Sequence, residues 1–283
     1  QLVVHAAGPF VHTYRPMVEA CLRTGRHYVD ISGEIPGFEA LAALDEQAKA
    51  AGIMLLPGGG FDVVPSDCLA AHLKRRLPSA THLRLFIRGT GAGASRGTLT
   101  SAIENMQRGG MVRRDGMLVR VPVGWRTPRV DFGRGPIQTA LIGWGDVSTA
   151  YHSTGIPNVE TYMALPRTLV NAMPLTNAFM PVLSSRPVKA LLKSLLRFLP
   201  PGPPADRREK GIAFLLGEVT DDAGGVARSR LQTREGYTLT AMTAVEIAKR
   251  ILAGDFKPGF QTPSRAYGPD FILSFPGSHR ADL

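Results

Sequence analysis

Three short runs combine small residues with a turn or a carboxylate: Ala6-Ala7-Gly8-Pro9-Phe10, Asp30-Ile31-Ser32-Gly33-Glu34 and Gly58-Gly59-Gly60-Phe61-Asp62. Small residues let a flat ligand approach the backbone closely. Asp30, Glu34 and Asp62 could hold hydroxyls or move a proton beside it. The plainer reading has the glycines turning the chain, with Asp30 and Asp62 capping helices. Three such runs in succession favour a ligand crevice. A fourth run, GDVSTAYHSTG, is the densest polar set in the rest of the chain. On a helix, Ser148, Tyr151 and His152 would share one face, where a tyrosine or histidine could donate a proton. Helix caps have the same composition, and His152 could equally be a satisfied buried residue, so the two readings stand level.

Other patterns weigh less. GTGAGASRG follows a strand and imitates a dinucleotide fingerprint, but no acidic residue ends the next strand, where MLVRV meets Pro122. The same segment contains GASRG, a formal nucleophile elbow at Ser95. On paper His152 and Asp146 complete a triad. However, six residues separate Ser95 from the region of the strand end, so a hydrolase is the lesser reading. His5 and His27 lie within strands and read as packing residues. No cluster has metal-ligand spacing, so no metal is expected.

The elements that must position these groups alternate at first. LVVHA, HYVDI and IMLLP read as strands, separated by a helix ending at Gly25 and a second, from Pro36 to Gly52. A third helix runs from about Pro65 to Leu77. That order implies parallel strands with right-handed crossovers, part of a doubly wound sheet. The pattern then changes. LRLFIRG and NVETYMA are strands, MVRRDGMLVRV is a hairpin turning at Asp115-Gly116, and IAFLLGEVTDDAGGVARSRLQT is a second hairpin. A helical stretch interrupted by Pro174, Pro181 and Pro187 ends in PPGPP. Residues 237–253 form one long helix, and FQTPSRAYGPDFILSFPG reads as an extended tail.

The 283 residues, 44% hydrophobic and 20% charged, suit a globular protein of two domains. Two cysteines, Cys21 and Cys68, sit in apolar helical patterns and fit a reducing cytoplasm. The formal charge is +10, yet the arginines are scattered and no nucleic-acid motif occurs, so nucleic acid is the weaker reading and is not expected as a partner. An anionic cofactor or membrane surface explains the sign at least as well. Within residues 187–199, Lys189, Lys193 and Arg197 recur every four residues opposite Leu191, Leu192, Leu195 and Leu199. A helix on a membrane surface has this pattern. So does a helix that packs its leucines inward and faces its lysines to water, and that is the favoured reading.

HAAGPF, HYVDISGE and PGGGFDVVPSD, in that order and spacing, resemble the saccharopine dehydrogenase-like oxidoreductases. GTLTSAIENM, GDVSTAYHSTGIPNVETYM, EGYTLTAMTAVEIA and FQTPSRAYGPDF are similar to stretches of the bacterial members. The resemblance implies an α/β fold: a Rossmann-type doubly wound parallel sheet whose N-terminal half is missing, then an α+β domain with a mixed sheet. Members begin with a strand and a glycine-rich pyrophosphate turn, followed by two more strands, so the expectation is an N-terminally truncated chain opening at the fourth strand.

The implied partition is residues 1–77 as the cofactor-binding half, 78–255 as the substrate and dimerisation domain, and 256–283 as a tail returning to the first. The implied reaction is hydride transfer with NADP or NAD on a small or lipid-like substrate, by a cytoplasmic homodimer with at most weak membrane contact through the helix at 187–199. Ala7, Gly8, Pro9 and Phe10, Asp30, Ile31, Ser32 and Gly33, and Gly59, Gly60 and Phe61 would line the nicotinamide and ribose side. Asp62, Tyr151 and His152 would transfer protons or orient substrate. The alternative is a non-catalytic membrane-surface or scaffold protein that retains the fold.

Overall fold

A computed structural model describes residues 1–90, 93–105, 109–133 and 135–283, the side chains of 105, 176 and 177 excepted. The first part runs β1 (Leu2–His5), α1 (Phe10–Thr24), β2 (His27–Asp30), α2 (Ile35–Ala42), α3 (Asp45–Ala50), β3 (Met54–Leu56) and α4 (Val64–Arg76). β1 pairs with β2 and β2 with β3, all parallel. α1 stops where Gly25 takes φ 62°, and it buries Val18 and Cys21. One helix was expected between Pro36 and Gly52, but two form. The chain breaks at Leu44, and the Asp45 carboxylate that opens α3 accepts the N–H of Phe260 at 2.7 Å. A contact from far along the chain thus outweighs local helix propensity.

The second part contains β4 (His82–Gly89), α5 (Arg96–Asn105), β5 (Gly110–Arg114), β6 (Met117–Val121), β7 (Arg129–Asp131), β8 (Pro136–Leu141), α6 (Asp146–Thr154) and β9 (Asn158–Ala164). Then come α7 (Arg167–Ala178), α8 (Met180–Leu183), α9 (Arg186–Leu195), α10 (Ala205–Lys210), β10 (Ile212–Thr220), β11 (Val226–Arg234) and α11 (Gly236–Leu252). The chain closes with β12 (Gly259–Phe260), α12 (Pro263–Tyr267) and β13 (His279–Asp282). Asp115 and Gly116 both take positive φ, as the hairpin turn between β5 and β6 requires. The larger sheet has the order β13-β11-β10-β4-β9-β5-β6 and is mixed, because β4 runs parallel to β9 but antiparallel to β10. The fold is α/β, with a parallel sheet and a separate mixed one.

α4 packs between the two sheets. Its Leu69 and Leu73 lie against β10, where a β-carbon on Gly217 would come within 2.4 Å of Leu73. One apolar cluster therefore runs from Val29 and Leu56 through α4 to Leu85, Leu215 and Leu231. The last residues pass through both sheets. α11 crosses back onto β1 and β2, β12 extends the parallel sheet beyond β3, and β13 pairs with β11. We retain the partition at residues 77 and 255 as a proposal, with α11 shared between the two sheets. The tail is less extended than its sequence suggested, because Thr262 caps α12 and Pro263 occupies its first turn.

The favoured reading of residues 187–199 is reversed. Lys189 Nζ donates to the Glu104 carbonyl at 3.0 Å, and Lys193 pairs with the Glu104 carboxylate at the end of α5. Leu191, Leu195, Phe198 and Leu199 are exposed instead. Among the described residues, no helix is long and apolar enough to cross a membrane.

Candidate functional site

The three runs at the carboxyl ends of β1, β2 and β3 are tied to one another by two acidic residues. The buried Asp30 carboxylate accepts from the backbone N–H of Ser32 and of Gly58, each at 2.9 Å, and from the Tyr28 hydroxyl at 2.8 Å. His5 Nδ1 lies 3.0 Å from that hydroxyl. Burial raises the Asp30 pKa, and these donors oppose the rise. Glu34, also buried, accepts from the N–H of Phe10 at 3.2 Å and of Val11 at 2.7 Å. α1 has no acidic residue in its own first turn, so Glu34 supplies the anion that its N-terminus favours. Ser101, on α5, donates to the same carboxylate at 3.3 Å.

The glycines of the third run serve packing. A β-carbon at Gly59 would stand 3.0 Å from Val29, and one at Gly60 2.9 Å from Thr240 of α11. Thr240 Oγ1 accepts the Phe61 N–H at 2.9 Å, and Thr243 donates to the Gly59 carbonyl at 2.8 Å. Gly33 differs: a β-carbon there would fall 2.8 Å from an Asp62 carboxylate oxygen. Asp62 thus lies directly over the loop that follows β2. Its carbonyl accepts the Trp144 indole N–H at 2.7 Å, which links it to the approach to α6. The residue is partly exposed, but burial of its carboxyl pushes the pKa up to about 6.

Beside this loop lies a cavity of about 260 Å³. Gly33, Glu34, Ile35, Pro36 and Glu39 form one wall, and Gly109, Met111, Leu118 and Gly143 form the other. It sits where the two parts of the chain meet, and it is close to the lower bound, about 300 Å³, of typical small-molecule sites.

Ser148, Tyr151 and His152 share one face of α6, and two residues not anticipated from sequence meet them there. Arg113, only 4% exposed, pairs with Glu39 and donates to the Val147 carbonyl at 2.9 Å and the Gly116 carbonyl at 2.7 Å. Its guanidinium covers the Tyr151 ring 4.2 Å from the centroid. Ser148 donates to Glu39 at 2.6 Å, while His152 Nε2 stands 3.6 Å from the same oxygen. Burial alone would raise the Glu39 pKa, but His152, Ser148 and Arg113 outweigh it and hold the carboxylate at about 2. Tyr151 and His152 therefore gather at Glu39, whereas Asp62 stands over Gly33 near the same cavity.

A second acidic group was unanticipated as a group. Asp146 opens α6 and Asp67 lies in the first turn of α4, both fully buried. Asp67 accepts the Ser264 N–H at 2.7 Å, and neither Asp146 oxygen has a hydrogen-bond partner among the described residues. Burial, with Asp67 and Asp62 nearby, pushes the Asp146 pKa well above its ordinary value; the neighbouring Ser66 only partly opposes this. The folded protein thus keeps a proton that the unfolded chain releases above about pH 4. The stability that Asp146 contributes is full below that pH and falls as pH rises towards its folded-state pKa. Asp146→Asn removes this loss. Above about pH 4 its stability relative to the parent climbs as pH rises, measured by calorimetry. A pH-independent offset between the two proteins would contradict a neutral Asp146.

The Ser95 triad does not form. Ser95 Oγ accepts the Thr98 N–H at 3.1 Å and closes the first turn of α5, while His152 is held at Glu39 and Asp146 lies buried beside Asp67. In GTGAGASRG, Gly91 and Ala92 lie outside the described residues, as does Met106 of GTLTSAIENM. Among the described residues, no three His, Cys, Asp or Glu side chains are grouped to hold a metal.

No family model matches the chain. It is 38% identical over 78 residues to a trans-acting enoyl reductase of Mycobacterium leprae, a match covering 27% of this chain and 19% of that protein. It is 32% identical over 78 residues to a human saccharopine dehydrogenase-like oxidoreductase, covering 27% and 18%. These matches span about a fifth of the relatives' own length. A solved structure of apo saccharopine dehydrogenase (L-Glu forming) from Saccharomyces cerevisiae superposes with a TM-score of 0.59 at 12% identity, covering 100% of this chain and 84% of that one. That likeness speaks to the fold.

Proposed function

We propose that this chain, which is 38% and 32% identical over 78 residues to a trans-acting enoyl reductase and a saccharopine dehydrogenase-like oxidoreductase, works as an oxidoreductase that uses a nicotinamide nucleotide at the carboxyl ends of β1, β2 and β3. The observation that carries this reading is Asp62: a carboxyl with its pKa pushed up to about 6, lying over Gly33 beside the cavity. Bound there, the nucleotide supplies or removes a hydride. The residues fit its nicotinamide and ribose side: Gly33, Ile35 and Pro36 present small or apolar surface to the cavity. The N-terminus of α1 is already occupied by Glu34, so it is not a pyrophosphate site. Ala7 to Phe10 and Asp30 to Gly33 form the adjoining loops, and Gly59 to Phe61 buttress them from α11.

The chain's own chemistry is then proton handling. Asp62 donates a proton as the substrate is reduced and accepts one in the reverse direction. Glu39 and Arg113 fix α6 against α2 and hold Tyr151 and His152 beside Glu39, which lines the cavity. For the substrate, the relatives named enoyl reductases favour a polarised carbon–carbon double bond. The apolar lining from Ile35, Pro36, Met111 and Leu118 suits a hydrocarbon chain. NAD and NADP are both open.

The test is fluorescence titration of NADH and NADPH against the parent and Gly33→Val. The valine must displace Asp62 and narrow the cavity. The expected result is saturable binding of one nucleotide, weakened by about tenfold or more in the variant, a loss of about 1.4 kcal/mol or more. Absence of binding to the parent, or equal binding by a folded variant, overturns the proposal in favour of a non-catalytic protein.

A further inference from the structure

The helices α7 to α9 and the turn that follows them carry an outward apolar surface that the proposed reaction does not use. Leu175, Phe179, Val182, Leu191, Leu195 and Phe198 are each more than half exposed, with Phe198 at 86%. Single exposed leucines are ordinary, but a run of this kind on consecutive helices marks an interaction surface. The seating of α9 explains its direction. Glu104 draws Lys189 and Lys193 inward onto α5, which turns the leucine stripe away from the protein.

Charge indicates what covers this surface. Residues 161–205 contain no Asp or Glu, but five basic residues, of which Arg167, Arg186 and Arg197 are exposed. A second copy of the chain meeting through the same patch would bring together two basic surfaces with no acidic residue from this segment to pair them. An acidic, apolar partner has no such conflict. We propose that this face lies on the surface of an anionic lipid bilayer, with the side chains of α8, α9 and Phe198 in the headgroup region and the arginines at lipid phosphates. α9 has only ten residues and its leucines occupy one side, the geometry of a helix lying in the interface plane. The inference is independent of the reaction proposed above.

The test is flotation of the full chain with vesicles of phosphatidylcholine alone and of phosphatidylcholine with phosphatidylglycerol. The parent is expected to float with the anionic vesicles, less so as salt is raised. Leu191→Glu/Leu195→Glu/Phe198→Glu, all at exposed positions and therefore compatible with folding, is expected to remain in solution. Arg186→Gln/Arg197→Gln is expected to bind about tenfold more weakly or worse. Circular dichroism checks that both variants are folded. A parent that fails to float, or a triple glutamate variant that floats equally well, overturns the proposal. So does a parent that stays in solution as a dimer and becomes monomeric in the triple variant, because the face would then be a contact between copies.

Discussion

Arg113→Ala is expected to destabilise the protein by about 3 kcal/mol, the lower end of the cost of breaking a buried ion pair. The guanidinium is nearly inaccessible and holds two backbone carbonyls, the Glu39 carboxylate and the face of Tyr151 at once. Alanine leaves the carbonyls of Val147 and Gly116 without these donors and Glu39 without its cation. Glu39 is about one-third exposed, so water recovers part of the loss. The pH dependence distinguishes the pair from simple packing. The Glu39 pKa falls from 4.5 to about 2 on folding, so its contribution is present above about pH 4.5 and is lost as pH falls towards 2. The gap between parent and variant in urea denaturation should narrow across that window. A gap that is constant with pH would assign the cost to lost packing instead.

Asp62→Asn is expected to leave the fold intact and to reduce the proposed reductase activity by about 10²–10⁴-fold, the usual contribution of a positioned acid or base. The carboxyl's pKa of about 6 makes it a proton donor below that pH and a base above it. In the reductive direction, kcat/KM of the parent should therefore fall as pH rises through about 6. The asparagine variant has no group to titrate and should show a flat profile there. If the variant keeps both the rate and the inflection, Asp62 is not the acid. Binding of the nucleotide is read separately by fluorescence, so failure of this prediction leaves the cofactor proposal to its own test.

The strand ends were legible because glycine and proline punctuate them. Gly25, Gly52 and Gly116 adopt the positive φ that their positions in the sequence demand. The shared face of Ser148, Tyr151 and His152 followed from helical spacing alone. Its partners did not. Glu39 lies in an ordinary helical pattern, and Arg113 sits in a hairpin where both it and the adjacent Val112 are buried, which breaks the alternation that would have flagged it. β7 and β8 escaped notice because they lie in a stretch rich in glycine, proline and arginine with little alternation. The inverted seating of α9 has a general cause. Periodicity defines two faces of a helix, but one carboxylate on a neighbouring element, here Glu104, decides which face turns inward.

The strand at Gly259 and Phe260 has a consequence for synthesis. The Phe260 N–H reaches a carboxylate 215 positions earlier, and its strand covers the free edge of β3. At about 5–20 residues per second, a ribosome needs on the order of ten to forty seconds to deliver that cover after β3 has emerged. Throughout that interval the nascent chain presents an open, apolar strand edge, the kind of template on which other chains assemble. Shielding of β3 on the ribosome is therefore expected to raise the yield of native protein independently of the stability of the finished fold.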